Sequence, residues 1–202
     1  MKQSTNQPIR ISMQQTEQII HQLWHSKPYA EGKAPYVYAI LDGARNRKIQ
    51  PMLKNASQRH YCLFDGELDY SLTLAAPYMM RLEEDADFTR ELIQQAWGNS
   101  WGIFAIAPRN ISLIRVRRNC KEILFVTDEG NRKMLFRYYD PRVMRRYLPT
   151  CMPDELKQVF GKVIAYAVEN EDASGLNYFS LQQPELILQV DGVSLEQERK
   201  VE

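Results

Sequence analysis

Three aspartates follow apolar stretches of the sequence and are the residues best placed for chemistry: Asp42, Asp65 and Asp140. Carboxylates just beyond strand ends often hold magnesium or act on phosphates in α/β proteins. A phosphate site would also need a glycine-rich phosphate-binding loop with a positioned lysine, and no such motif is present. Aspartate also caps turns and helix starts. We favour capping, and keep as an alternative a magnesium-dependent phosphoesterase that uses Asp42 and Asp65.

Histidine and cysteine offer weaker candidates for chemistry. His21 and His25 are four residues apart, a spacing that lets two imidazoles share a metal, but no glutamate follows His21 as it would in a zinc protease helix. Cys62 has a histidine nearby, His60, two residues away on a predicted strand. Solvated or structural positions explain these residues better. The sequence therefore predicts a protein with no catalytic residue, no metal and no cofactor.

Two Trp-Gly pairs, Trp97-Gly98 and Trp101-Gly102, lie four residues apart. Tryptophan buries a large area when it packs, so the pairs could form a core corner between a helix and a strand. They could also expose an aromatic anchor for a partner protein, because tryptophan is enriched among interface hot spots. We favour core packing.

A second cluster combines arginine with tyrosine, two residue types enriched in the cores of protein interfaces. A solvated helix face is the simpler interpretation, and a protein-binding patch is the functional one. The candidate partner-binding residues are Arg137, Tyr139, Arg142, Arg145, Arg146 and Tyr147.

The elements that position these residues follow from hydrophobic periodicity and turn signals. Strands are predicted at residues 36–41, 60–64, 79–82, 101–107, 162–168 and 177–181. Helices are predicted at residues 13–26, 45–56, 87–97, 142–147 and 152–161, and residues 111–119 fit a helix or a strand. Residues 31–35 are predicted to form a loop. Residues 184–202 are predicted to form a tail with one apolar run, at residues 186–190, and a frayed end. Residues 123–126 and 134–138 flank a turn and predict a hairpin.

Together these elements predict an α/β fold: a mixed β-sheet with flanking helices and a late antiparallel hairpin. Residues 1–34 form an N-terminal helix and linker, residues 35–170 the main domain, and residues 171–202 a short C-terminal extension.

Charge is distributed in blocks although the whole chain carries only +1. Residues 1–61, 62–107, 108–148 and 149–202 carry +6, −6, +7 and −6. Such blocks neutralise one another in the fold or form patches that select partners. The near-zero total argues against a nucleic-acid binder, and the lack of a long apolar run argues against a membrane protein. With no secretory leader pattern and an odd number of cysteines, we expect a cytoplasmic protein with reduced thiols.

Several short segments resemble, in order, the family of domain of unknown function 4123. They are residues 38–44, 62–66, 76–78, 97–98, 101–104 and 136–143, followed by 148–149 and 160–161. The family-motif residues that we assign to structural roles are Asp42, Gly43, Asp65, Gly66, Trp97, Gly98, Trp101, Gly102, Asp140 and Pro141. The resemblance covers about residues 35–165 and so falls within the predicted main domain.

The resemblance implies a function as well as a fold. Proteins of this family are adaptors, or chaperones, for effectors of the bacterial type VI secretion system. A member is expected to bind one cognate effector toxin in the cytoplasm and to load it onto the C-terminal region of the trimeric spike protein, VgrG. The family role needs no catalytic residue.

Overall fold

A seven-stranded sheet organises the chain in the computed structural model, which describes residues 10–26, 34–128 and 130–195. Its strands are β1 (Tyr36–Asp42), β2 (His60–Cys62), β3 (Pro77–Arg81), β4 (Gly102–Ala107), β7 (Ala165–Glu169), β8 (Gly175–Gln182) and β9 (Ile187–Ser194). The spatial order is β2-β3-β1-β4-β7-β8-β9. Every neighbouring pair is antiparallel.

Helices cover both faces of the sheet because the side chains of the central strands alternate between two cores. The helices are α1 (Met13–His25), α2 (Ile49–Asn55), α3 (Tyr70–Ala75), α4 (Asp87–Ala96), α5 (Leu113–Glu122), α6 (Pro141–Tyr147) and α7 (Pro153–Phe160). Residues of α1, α2 and α4 pack with Val37 and Ala39 of β1 on one face. Residues of α5, α6 and α7 pack with Tyr38 and Ile40 on the other.

A separate hairpin projects beside α5. Its strands, β5 (Phe125–Thr127) and β6 (Lys133–Leu135), pair only with each other among the described residues. The turn is fixed by Asp128, whose Oδ1 accepts hydrogen bonds from the amides of Gly130 (2.9 Å) and Arg132 (2.8 Å). All six strand residues are exposed.

The predicted fold class is confirmed: an α/β protein with flanking helices and a late hairpin. The main sheet is antiparallel throughout. The segment at residues 111–119 is helical, as α5. The division at residues 34/35 and 170/171 stays a prediction, although α1 and β8 contribute to the same cores as the strands between them.

Two elements differ from the sequence prediction. Helix α3 was not predicted, although Asp69 caps it by accepting a hydrogen bond from the Leu72 amide at 2.7 Å. The expectation of a tail was wrong for residues 187–194, which form β9 and pair with β8 over eight residues. The apolar run at residues 186–190 does not alternate with polar residues as in an amphipathic strand, and most of β9 is exposed, so the strand depends on its pairing with β8. The residues of the tail after 195, and residues 31–33 of the predicted loop, lie outside the described ranges.

Among the described residues, none of the helices has the length and apolar character needed to cross a membrane. Cys62, Cys120 and Cys151 are free thiols.

Candidate functional site

The two Trp-Gly pairs form the corner between α4 and β4. Trp97 is only 2% exposed and its Nε1 donates a hydrogen bond to the Ala173 carbonyl at 2.8 Å. Trp101 is 4% exposed. Gly98 has φ +70°, a conformation that suits glycine after the end of a helix. Core packing is therefore confirmed for both tryptophans, and the rings are not surface anchors.

Glu169, at the end of β7, ties this corner to the sheet. Its Oε2 accepts a hydrogen bond from the Gly98 amide at 2.8 Å, and its Oε1 accepts from the Ser100 amide (3.0 Å) and hydroxyl (3.2 Å). Burial raises the pKa of Glu169, and these hydrogen bonds, with the nearby charge of Arg145, only partly counter the rise. The sequence analysis missed this residue, although Glu169 ends an apolar strand just as Asp42 does.

Asp140 is the N-cap of helix α6, as predicted, and Pro141 is the first residue of the helix. The Asp140 carboxylate accepts a hydrogen bond from the Arg142 amide at 3.0 Å. The Arg142 guanidinium also donates two hydrogen bonds to this carboxylate, from Nε to Oδ1 at 2.9 Å and from Nη2 to Oδ2 at 2.6 Å. Burial alone would raise the pKa of Asp140, but the hydrogen bonds from Arg142 outweigh it and lower the pKa. The start of α6 is thus rigidly fixed.

Asp42 holds the segment before α6 against the sheet. Its Oδ1 accepts a hydrogen bond from the Ala44 amide at 3.1 Å, the predicted turn cap, and its Oδ2 is paired with the Arg137 guanidinium. Asp42 is 1% exposed, and burial raises its pKa by more than Arg137 and Ala44 lower it. The aspartate and arginine are 95 positions apart, a pairing that the sequence did not reveal.

Gly43 and Gly102 lie where neighbouring backbone segments come too close to leave room for a side chain. A Cβ on Gly43 would lie 2.5 Å from the Ala76 carbonyl oxygen. A Cβ on Gly102 would collide with the carbonyl oxygen of Ile40, the residue before its ladder partner Leu41 on β1. A side chain at Gly43 or Gly102 would therefore require the neighbouring backbone to move.

The corner, α6 and the end of β7 surround an open groove of about 1020 Å³, which we call the corner groove. It brings the Trp-Gly corner and the Arg/Tyr cluster together, two features that are about 40 positions apart in the sequence. Its lining residues are Gly98, Ser100, Phe136, Asp140, Arg142, Val143, Arg145, Arg146, Tyr147, Glu169, Glu171, Ala173 and Asn177.

Four of the six candidate partner-binding residues line the corner groove: Arg142, Arg145, Arg146 and Tyr147. Arg145 donates to the Glu169 carbonyl at 2.5 Å, and Arg146 is exposed on α6. The Tyr147 ring stacks edge-on against Phe136, with centroids 4.5 Å apart. The two remaining candidates lie outside the groove: Arg137 pairs with Asp42, and Tyr139, 1% exposed, is part of the core.

The residues first considered for chemistry do not converge on one site. Asp42 lies close enough to Asp140 for that carboxylate to raise its pKa, and the His21 and His25 rings are neighbours, with centroids 4.9 Å apart. Asp65 is exposed and pairs with Lys121, in a turn where Gly66 has φ +82°. His25 Nε2 lies 2.6 Å from Glu84 Oε1. No group of three or more histidine, cysteine or acidic side chains that could hold a metal occurs in the described part of the chain. Asp42 and Asp65 thus form ion pairs with different cations.

Comparison with known families identifies the framework of this site. The family model for domain of unknown function (DUF4123) matches residues 37–158, which contain β1, the Trp-Gly corner, α5, the hairpin and α6. No curated protein and no solved structure matches the chain. Because the family model covers more than half of the sequence, the chain belongs to the DUF4123 family.

Proposed function

We propose that this protein is an adaptor of the type VI secretion system, which binds a cognate effector toxin in the cytoplasm and loads it onto the C-terminal region of the VgrG spike. Membership of the DUF4123 family supports the proposal, because the resemblance of these motifs implies that role. The proposal needs a protein-binding surface and no catalytic group.

The corner groove is the observation that carries this proposal. It combines an aromatic side chain, Tyr147, with three arginines on a helix whose start is fixed by Asp140. Arginine and tyrosine are enriched at protein interfaces. Arg142 and Arg145 are already held by hydrogen bonds to Asp140 and Glu169, so they lose less conformational entropy on binding than free arginines would. We infer that the effector docks in this groove.

Co-purification tests the adaptor role. The full chain would be tagged in cells that carry its neighbouring secretion genes and isolated at low salt. We expect recovery of the effector encoded beside it, and of VgrG. Recovery of neither protein would contradict the proposal.

Arg146 is the sharpest probe of the groove, because it is exposed, whereas Arg142 and Arg145 also hold Asp140 and Glu169 in place. Reversing a charge at an interface rim changes association, so we expect Arg146→Glu to weaken effector binding about tenfold with an unchanged melting temperature. Lys157→Glu, on an exposed position of α7, is the matched control. Equal effects of the two variants would place the effector elsewhere.

The alternative is a magnesium-dependent phosphoesterase that uses Asp42 and Asp65. Bound Mg²⁺ would stabilise the fold by mass action, so an enzyme of this kind would unfold at higher temperature in magnesium, and Asp42→Asn would abolish the shift. The adaptor proposal predicts no magnesium-dependent shift.

A further inference from the structure

A second groove, of about 760 Å³, lies between α5, the connection from β2 to α3, and the β5–β6 hairpin. We call it the hairpin groove. Its apolar lining includes Phe64, Leu72, Ile114 and Phe125. It shares no lining residue with the corner groove, so the two surfaces can be altered separately.

Large apolar side chains are unusually exposed here. Ile114 is 71% exposed, Leu72 48% and Phe125 41%, and they come from three different elements. The neighbouring hairpin residues Val126 and Met134 are exposed too. Contiguous exposed apolar surface with a polar rim marks interaction sites in soluble proteins.

Contacts with the rest of the chain fix the position of the β5–β6 hairpin, but its strand residues stay exposed. The Phe136 amide donates a hydrogen bond to the Leu124 carbonyl at 2.7 Å, and the Phe64 and Phe125 ring centroids lie 6.4 Å apart. These contacts hold the hairpin beside the end of α5 and the connection from β2 to α3. No third strand pairs with β5 or β6 in the described ranges. A two-stranded hairpin is marginal alone, so further burial of its apolar face would be favourable.

The rim of the hairpin groove specifies the charge of its occupant. Its basic residues are Arg117, Arg118, Lys121 and Lys133, against Asp65 and Glu122. Asp65 is already paired with Lys121. The groove draws most of its charge from residues 108–148, the block with a net charge of +7. A partner with carboxylates around its apolar side chains complements this surface, whereas a basic partner would be repelled.

We propose that the hairpin groove binds an acidic amphipathic segment of a partner protein, whose apolar side chains pack on Leu72, Ile114 and Phe125 while its carboxylates meet Arg118 and Lys133. This surface is distinct from the corner groove, and the inference does not depend on the adaptor role. It gives the molecule two separate protein-binding faces.

A peptide selection on the full chain tests this inference. The probe is a display library of random peptides of roughly 14 residues, about four helical turns. Affinities of selected peptides would be measured by fluorescence anisotropy. We expect the selected sequences to carry net negative charge and at least two large apolar residues. Selection of basic or uncharged sequences, or of none, would overturn the proposal.

Single substitutions test whether the selected peptides bind in the hairpin groove. Ile114→Asp places a carboxylate where the apolar side chain packs, and we expect it to weaken peptide binding at least about tenfold. Arg118→Glu should weaken binding about fivefold at low salt and less at high salt, because exposed charges are screened. Met152→Asp, an equally exposed apolar position outside the groove, is the matched control. Loss of affinity in Met152→Asp alone, or in none of the three, would overturn the proposal.

Two further measurements test other occupants of the hairpin groove. If the full chain self-associates at micromolar concentration and Ile114→Asp abolishes the association, the occupant is a second copy. If a synthetic peptide of residues 196–202 binds more tightly than every selected peptide, the occupant is the chain's own C-terminus. Either result would replace the proposed partner.

Discussion

The two grooves are built in opposite ways. The corner groove is lined by two buried carboxylates, Glu169 and Asp140. Their oxygens accept hydrogen bonds from backbone amides, from the Ser100 hydroxyl and from the Arg142 guanidinium. The hairpin groove has an apolar lining whose side chains are largely exposed. Among the family-motif residues, Gly98 and Asp140 line the corner groove and Asp65 lines the hairpin groove. Internal hydrogen bonds to buried carboxylates therefore fix the shape of one surface, while the other exposes apolar side chains that are available to a partner.

The largest expected difference in stability between the two regions is between a buried and a half-exposed aromatic residue. Trp97→Ala removes a ring that is 2% exposed and should lower the free energy of unfolding by about 3–5 kcal/mol. Phe125→Ala, in the hairpin, should cost under about 1 kcal/mol because its ring is half-exposed. Urea unfolding monitored by circular dichroism would measure both. Similar losses would mean that the hairpin is as integral to the fold as the corner.

A second experiment compares ion pairs in the two regions. Arg137→Leu leaves the buried Asp42 carboxylate without its cation and should lower the free energy of unfolding by about 3 kcal/mol. Arg132→Leu breaks the exposed hairpin pair with Asp128 and should cost under about 1 kcal/mol.

A double variant distinguishes two reasons why Arg137→Leu would destabilise the fold: an unpaired charge on Asp42, or the loss of packing by the Arg137 side chain. Adding Asp42→Asn to Arg137→Leu removes the unpaired charge, so we expect the double variant to unfold at higher urea than Arg137→Leu alone. No rescue would show that Arg137 stabilises by packing instead.

The pH dependence of stability tests Glu169. Because burial raises its pKa above the ordinary 4.5, the folded protein keeps this proton to higher pH than the unfolded chain does. Its contribution to stability therefore falls as pH rises from 4.5 towards the raised value. In Glu169→Gln this component is absent. We expect the free energy of unfolding of the wild type, minus that of the variant, to shrink over this range, and a widening gap would contradict the assignment.

The smallest effect on stability is expected in the hairpin groove. Ile114→Asp replaces a 71% exposed side chain in the first turn of α5, where a carboxylate interacts favourably with the helix dipole. We expect the free energy of unfolding to change by less than about 0.5 kcal/mol. A large loss would show that Ile114 packs in the fold, and would remove it from the proposed docking surface.

Local chemistry made part of this structure predictable. The Asp140-Pro141 helix start, the Trp-Gly corner between a helix and a strand, and the hairpin around Asp128 each depend on residues close together in the sequence, and each was confirmed. Asp42 was correctly assigned to a turn for the same reason.

Long-range pairing could not be predicted in the same way. The Arg137–Asp42 contact and the cluster around Glu169 join residues that only the sheet order brings together, and one sequence carries no signal for that order. Strand β9 was not predicted because its apolar run at residues 186–190 lacks the alternation of a half-buried strand. The Arg/Tyr cluster was recognised by composition, but only the structure separates Tyr139 in the core from Arg146 on the surface.

The position of β7 has a consequence for synthesis of the protein. Strand β4 lies between β1 and β7, yet β7 begins at Ala165, beyond the end of the family match at residue 158. While the chain emerges from the ribosome, β4 therefore presents an open edge until residues 165–169 appear, and Gly98 and Ser100 lack their carboxylate until Glu169 follows. A fragment that stops at the family boundary would keep that edge, and we expect it to aggregate where the full chain folds.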